Sequence, residues 1–253
     1  MDTGAKHRLL LSLRSEQAMG LSSIRRPQRE PVAAMKLEEE IQAVSLAPLS
    51  LPLATPFEAV QLSTEQKQSR LQAMREKEVV PCTKCRLSQG RTQTVFGEGD
   101  VDAKIMFVGE GPGENEDLTG RPFVGRAGQL LDKMIVAMGL RREQVYIANI
   151  VKCRPPQNRV PAPDEVATCT PYLERQIEII RPAVIVTLGR PAASYMLGNP
   201  KLTMGSVRGR WHEWRQIKLM PTFHPSYVLR TYTEAVRKAV WDDLKKVMEE
   251  VGK

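Results

Sequence analysis

Four short apolar runs stand out between residues 103 and 223: Ala103–Val108 (AKIMFV), Val145–Val151 (VYIANIV), Ala183–Leu188 (AVIVTL) and Ile217–Phe223 (IKLMPTF). Each is rich in β-branched or aliphatic residues and bounded by polar or turn residues, the pattern of strands buried on both faces. Pro221, inside the last run, assigns that part of it an edge or terminal position, because proline has no N–H for a ladder. Helical periods alternate with these runs. Ser63 and Gln66 form a capping-box signature for a helix to about Lys77. Leu130, Leu131, Met134 and Met138 repeat every three or four residues within Gly125–Met138. From Asp164 to Ile180, after Pro163, one face carries Val166, Cys169, Leu173, Ile177 and Ile180. A second capping box, Thr231 to Glu234, opens a last helix marked by Val236, Val240, Leu244, Val247 and Val251. Strand–helix alternation of this kind predicts one α/β domain with a mostly parallel sheet over residues 64–253.

Ligands of such sheets bind beyond the carboxyl ends of the strands. Here those ends carry Gly109-Glu110-Gly111-Pro112-Gly113-Glu114-Asn115-Glu116-Asp117 after the first strand, and Asn149 and Cys153 at the second. Gly189-Arg190-Pro191 follows the third strand and His224-Pro225-Ser226 the fourth. The chemistry therefore gathers on one edge of the sheet.

Residues 1–63 read differently. Leu9-Leu10-Leu11 is too short for a signal-peptide core, Arg8, Arg14, Arg25 and Arg26 mildly suit a cleavable organellar peptide, and SLAPLSLPLATP (45–56) is broken by proline. The expectation is a poorly ordered extension, open to an unknown protein partner. The whole chain of 253 residues carries a formal charge of +8. The extension holds seven basic and seven acidic residues, so all of that charge belongs to residues 64–253 and suits an anionic partner. A 42% hydrophobic and 26% charged composition is that of a soluble globular protein. No apolar run approaches the roughly 20 residues of a membrane helix, so a cytoplasmic protein without a membrane partner is expected.

The four cysteines form a C-x2-C pair, Cys82 and Cys85, and a second pair, Cys153 and Cys169. Without a secretion signal, disulfides are the less favoured use, and four thiolates suit either tetrahedral zinc or an iron–sulfur cluster. The glycine loop after the first strand is not a dinucleotide fingerprint. Pro112 lacks an amide, Glu114 replaces the third glycine, and Glu110, Glu114, Glu116 and Asp117 would repel a diphosphate. No Gly-Lys-Ser/Thr follows, which excludes a Walker A loop. Carboxylates at a strand end suit metal binding or stabilisation of a cationic centre.

The runs GEGPGENEDLTGRPFVGRAGQLLD (109–132), NIVKCRPPQNRVPAPDE (149–165) and HPSYVLR (224–230), together with the cysteine pattern, resemble the family-4, iron–sulfur uracil-DNA glycosylases. The resemblance spans residues 64–253. It implies a three-layer α/β/α sandwich with a four-stranded, mostly parallel sheet, and a [4Fe-4S] cluster on Cys82, Cys85, Cys153 and Cys169. It also implies hydrolysis of the N-glycosidic bond of deoxyuridine in DNA, by a monomer acting on a base flipped out of the stack. Phe123 would then stack on uracil, beside a pocket begun by Gly109, Glu110 and Gly111. The Asn149 amide would pair with uracil N3 and O4, and His224 would donate to O2 as the base leaves as an anion.

The resemblance further implies that Gly111 and Gly113 replace an Asp and a Tyr of the better-known uracil glycosylases. The carboxylate assisting hydrolysis is therefore expected at Glu110, then Asp117, with Glu116 behind, and thymine is expected to be excluded by the segment Glu114–Asp117. Ser226 and Arg230 would grip phosphate, and Val228, where the family usually has leucine, would help fill the gap left by the flipped base, alone or with Leu229. Arg159, in the loop Pro155–Pro161, and the segment Arg208–Trp211 are candidate DNA contacts. The competing reading is a non-catalytic cluster- or zinc-bearing module that binds nucleic acid.

Overall fold

The computed structural model describes residues 61–252, and the expectations for the extension up to residue 60 lie outside them. At the sheet's centre, four buried strands run parallel: β2 (Ile105–Gly109), β3 (Tyr146–Asn149), β4 (Val184–Leu188) and β6 (Ile217–Thr222). Two short strands, β1 (Glu98–Gly99) and β5 (His212–Trp214), add antiparallel edges, giving a six-stranded mixed sheet in the order β1-β3-β2-β4-β6-β5. The expected four strands are present, and the sheet is wider by the two edges. Pro221 therefore lies on an inner strand, but beyond the stretch of it that β5 pairs, so β5 needs no N–H from it.

The pleat sends alternate residues to opposite faces. Met106 and Val108 enter one core with helices α1 (Thr64–Met74), α4 (Pro163–Ile180) and α5 (Arg190–Met196). Ile105 and Phe107 enter a second core, which holds Leu131 and Ile135 of α3 (Arg126–Ala137) and Val240 and Leu244 of α8 (Glu234–Glu250). Two shorter helices, α2 (Glu114–Thr119) and α7 (Pro225–Thr231), start beyond the carboxyl ends of β2 and β6, and α6 (Met204–Val207) precedes β5. The α1 capping box is formed as expected, with Ser63 Oγ accepting from the Gln66 N–H and Gln66 Oε1 from the Ser63 N–H. The second one is not: Thr231 ends α7, and Thr233 caps α8 by accepting from the Val236 N–H. No helix among the described residues is long and apolar enough to cross a membrane.

Candidate active site

A cleft of about 500 Å³ opens at the carboxyl edge of the sheet. It brings together Glu110, Glu116, Phe123, Asn149, Arg159, His224, Ser226 and Arg230, drawn from all three motif runs. Two of these side chains are built into the frame with unusual closeness. Asn149, the last residue of β3, is 1% exposed, and its Oδ1 is a buried acceptor with no hydrogen-bond partner among the described residues. Phe123 adopts φ = 52°, a backbone strain that an L-residue holds only when its surroundings enforce it. Those surroundings are identifiable. Arg142 donates to the Phe123 and Pro122 carbonyls while pairing with Glu98 and Asp132. Gly128 lets α3 approach so closely that a Cβ there would lie 1.8 Å from the Phe123 oxygen.

Gly109 completes the packing. A Cβ on it would fall 2.4 Å from Asn149 Oδ1 and 2.6 Å from Phe123 Cζ, so only glycine lets the amide and the ring flank the same space. Gly111 is similarly restricted, because a Cβ there would meet Val151 Cγ2 at 2.7 Å. The Phe123 ring lies 5.7 Å from the His224 ring, tilted by 33°.

His224 caps α7, and its Nδ1 accepts from the Ser226 N–H at 3.1 Å and stands 2.8 Å from Ser226 Oγ. A backbone N–H can only donate, so Nδ1 is bare, the hydroxyl also donates to it, and the proton sits on Nε2. Burial, with the Arg230 charge adding to it, pushes the imidazole down to about 4. The group facing the cleft near neutral pH is thus a neutral donor. Ser226, expected to grip phosphate, has its hydroxyl turned to this histidine instead.

The acidic loop divides its labour. Glu110 lines the cleft, no described residue donates a hydrogen bond to its carboxylate, and burial raises its pKa against the pull of Arg190. Glu116 also lines the cleft but is a clamp, accepting from the N–H groups of Val124 and Gly125 at 2.8 Å each and of Gly113 at 3.1 Å. Asp117 is corrected from a candidate catalytic carboxylate to a structural one. It is 2% exposed and accepts from the Thr92 and Gln93 N–H groups, away from the cleft, because the α2 turn sends successive side chains about 100° apart.

Three further expectations change. Val228 is not at the DNA face: it is 2% exposed in the core beneath α7, while Tyr227 is exposed and Leu229 half-buried. Arg159 lines the cleft, yet both its terminal nitrogens bond the buried carboxylate of Glu165, so it braces the Pro155–Pro161 loop. Arg208 is held by Asp243, which is 1% exposed, and lies outside the cleft lining. Arg126, which the sequence did not single out, joins Arg159 and Arg230 in the lining. Its only sequence signal is a basic residue opening a helix after a glycine.

All four cysteines line one pocket behind this site, with Lys84, Arg91, Lys152 and Tyr172. Arg91 donates to Cys153 Sγ and the Lys152 N–H to Cys169 Sγ, both at 3.2 Å, and Tyr172 approaches Cys82 Sγ at 3.6 Å. Burial pushes the Cys169 thiol up to about 12 and raises Cys153 too, so ionised sulfur here requires a bound metal. No group of three or more His, Cys, Asp or Glu among the described residues is arranged to hold a single metal ion. The four-sulfur lining with its N–H donors and cations fits an anionic thiolate-bound metal centre.

A pocket that buries an amide beside an aromatic ring, faced by a neutral histidine donor at the carboxyl end of a parallel sheet, is the site of a base-extruding enzyme. The comparisons agree at this level: the family model described as Uracil DNA glycosylase superfamily matches residues 96–245, and the chain belongs to that superfamily. Within it, the chain is 51% identical over 176 residues to a type-4 uracil-DNA glycosylase of Thermotoga maritima, covering 69% of this chain and 92% of that protein. Type-4 uracil-DNA glycosylases of Sulfurisphaera tokodaii (51% over 180 residues; 68% of this chain, 81% of that protein) and Saccharolobus solfataricus (49% over 180; 68% and 82%) are similar as well. The chain is a member of the type-4 uracil-DNA glycosylase family.

Proposed function

We infer that the protein excises uracil from DNA by hydrolysing its N-glycosidic bond and leaving an abasic site. The observation that carries this reading is Asn149 Oδ1, a buried acceptor without a partner among the described residues, facing the same space as the Phe123 ring and His224. Uracil offers an N3–H donor beside an O4 acceptor, which an amide matches with Oδ1 and Nδ2. Cytosine offers the reverse pattern and would leave the buried amide unpaired.

The chain's own groups supply the rest of the chemistry. The base stacks on Phe123 and pairs with Asn149. As the bond to C1′ breaks, negative charge grows on the uracil ring, and the Nε2–H of His224 donates to O2. A neutral donor serves there because Nδ1 is fixed as an acceptor by Ser226. Glu110, whose carboxylate accepts no hydrogen bond from a described residue, is the carboxylate left to face the positive sugar and orient the attacking water. Glu116, held rigid by three amides, is the fixed wall expected to exclude a thymine methyl. Arg126 and Arg230 at the cleft supply attraction to phosphate. Cys82, Cys85, Cys153 and Cys169 would hold the [4Fe-4S] cluster, whose role is to fix the loop after β3.

The test is incubation of purified protein with a single-uracil oligonucleotide, followed by alkali. Scission at uracil, and none on thymine and cytosine controls, is expected; no scission on any of them would leave the non-catalytic binding module as the reading.

A further inference from the structure

Lys152 stands between the cysteine pocket and the base pocket and belongs to neither set of functional residues. It is among the largest fully buried side chains of the protein, at 1% exposure. Its ammonium donates to the Asn149 carbonyl at 3.0 Å and to Gln176 Oε1 at 2.6 Å. Its own backbone N–H donates to Cys169 Sγ, and the next residue is Cys153. Gln176 is anchored in turn, its Nε2 donating to the Phe96 carbonyl at 2.9 Å and to the Tyr146 hydroxyl at 3.3 Å. At the end of this chain of contacts, Asn149 Oδ1 is a buried acceptor that meets no donor among the described residues.

A buried ammonium is costly unless an anion accompanies it. Among the described residues no carboxylate pairs with Lys152, and its backbone N–H rests on Cys169 Sγ at 3.2 Å. Metal-bound thiolate is the anion this arrangement calls for, and both hydrogen bonds of the ammonium then serve positioning. It grips the Asn149 carbonyl at the final residue of β3, just before the Ile150 and Val151 N–H groups donate to the Gly109 and Glu110 carbonyls.

We propose that Lys152 is a positioning residue that couples the occupied cysteine site to uracil recognition by fixing the backbone from which the Asn149 amide projects. This rests on the reading of Asn149 as the uracil-binding amide. It gives the cluster a function in specificity that needs no electron transfer. Loss of the cluster removes the counter-charge of Lys152, the ammonium turns toward other partners, and Asn149 loses its fixed aim.

The experiment uses Lys152→Met, which keeps the length of the stem and removes the charge and donors, in the full chain purified anaerobically with its iron and sulfide counted. Competitive inhibition by free uracil and single-turnover excision are measured for wild type, Lys152→Met, Asn149→Ala and the double variant. With iron and sulfide at wild-type levels, Lys152→Met is expected to weaken free-uracil inhibition and raise KM by about tenfold or more, with a smaller fall in kcat. In the Asn149→Ala background the same change should cost less than about twofold, because the group it positions is gone. A loaded Lys152→Met enzyme with wild-type uracil inhibition would overturn the proposal, and so would an equal loss in both backgrounds. Should Lys152→Met fail to fold, Gln176→Leu removes the second anchor of the ammonium, and the same Asn149-dependent loss, smaller in size, is required of it. An inactive wild type would instead count against uracil excision itself, so the two failures are distinct.

Discussion

Ser226 reaches Nδ1 of His224 with both its main-chain N–H and its hydroxyl, at 3.1 and 2.8 Å. This small contact decides the chemistry of the imidazole. It assigns the proton to Nε2 and, with burial and the nearby Arg230, keeps the ring neutral down to about pH 4. Excision should therefore show no break at the ordinary histidine value and fall on the acid side as His224 and Glu110, whose carboxyl burial pushes up, take up protons. A rate profile breaking near the ordinary histidine value of 6.5 would show that an imidazolium is the working form. The sign for stability follows from the same depressed pKa. Between pH 6.5 and about 4 the unfolded chain holds the proton that the folded protein refuses, so His224 lowers stability as pH falls through that window. Ser226→Ala removes one of the two donors and is expected to lower kcat about tenfold with little change in KM, read by steady-state kinetics.

Gly109→Ala tests the packing of the base pocket. Its Cβ would lie 2.4 Å from Asn149 Oδ1 and 2.6 Å from Phe123 Cζ, so one or both must move. The expected outcome is a folded protein with uracil excision reduced by about a hundredfold or more, since displacement of an orienting group by an ångström costs that much. Near-normal kinetics would mean that the amide and ring do not define the pocket.

Val228→Ala separates a core role from a DNA role. Val228 is 2% exposed and packs between α3 and α8. The substitution should cost about 2 kcal/mol in denaturant unfolding and leave the ratio of activities on single- and double-stranded substrates unchanged. A changed ratio with unchanged stability would return the wedge to this position.

The sequence made the four central strands legible because β2, β3 and β4 are buried along their whole length and β6 over its last four residues, which leaves short, mostly apolar runs. The edge strands Glu98–Gly99 and His212–Trp214 are two and three residues long and carry no period to read. Asn149, Phe123 and His224 were legible through motif resemblance, as was the gathering of the cysteines. Asp117 and Val228 were misplaced for a shared reason. Each sits in a short helix, where neighbours in sequence point in different directions, so Glu116 and Asp117 part company within one turn. Lys152, Gln176 and Arg142 were not legible, since their meaning lies in main-chain carbonyls that only the folded chain brings near.

Removal of the metal should loosen the core that the cysteines join. Leu71, Val79, Tyr172 and Leu173 pack in the same apolar cluster as Cys153 and Cys169. Intact protein is expected to contain about four irons and four acid-labile sulfides per chain, and chelation should lower the thermal midpoint by about 10 °C or more. One bound zinc and no sulfide would contradict the cluster reading.

The most direct measurement of the account's central claim is the base preference of Asn149→Asp, taken as single-turnover excision from matched oligonucleotides bearing uracil or cytosine. An aspartate accepts from cytosine's exocyclic amine and cannot donate to uracil O4 as the amide does. The account predicts loss of most activity on uracil and a narrowed, or reversed, uracil-to-cytosine ratio in a protein with unaltered iron content. An unchanged ratio would remove Asn149 from base recognition and contradict the pocket described above.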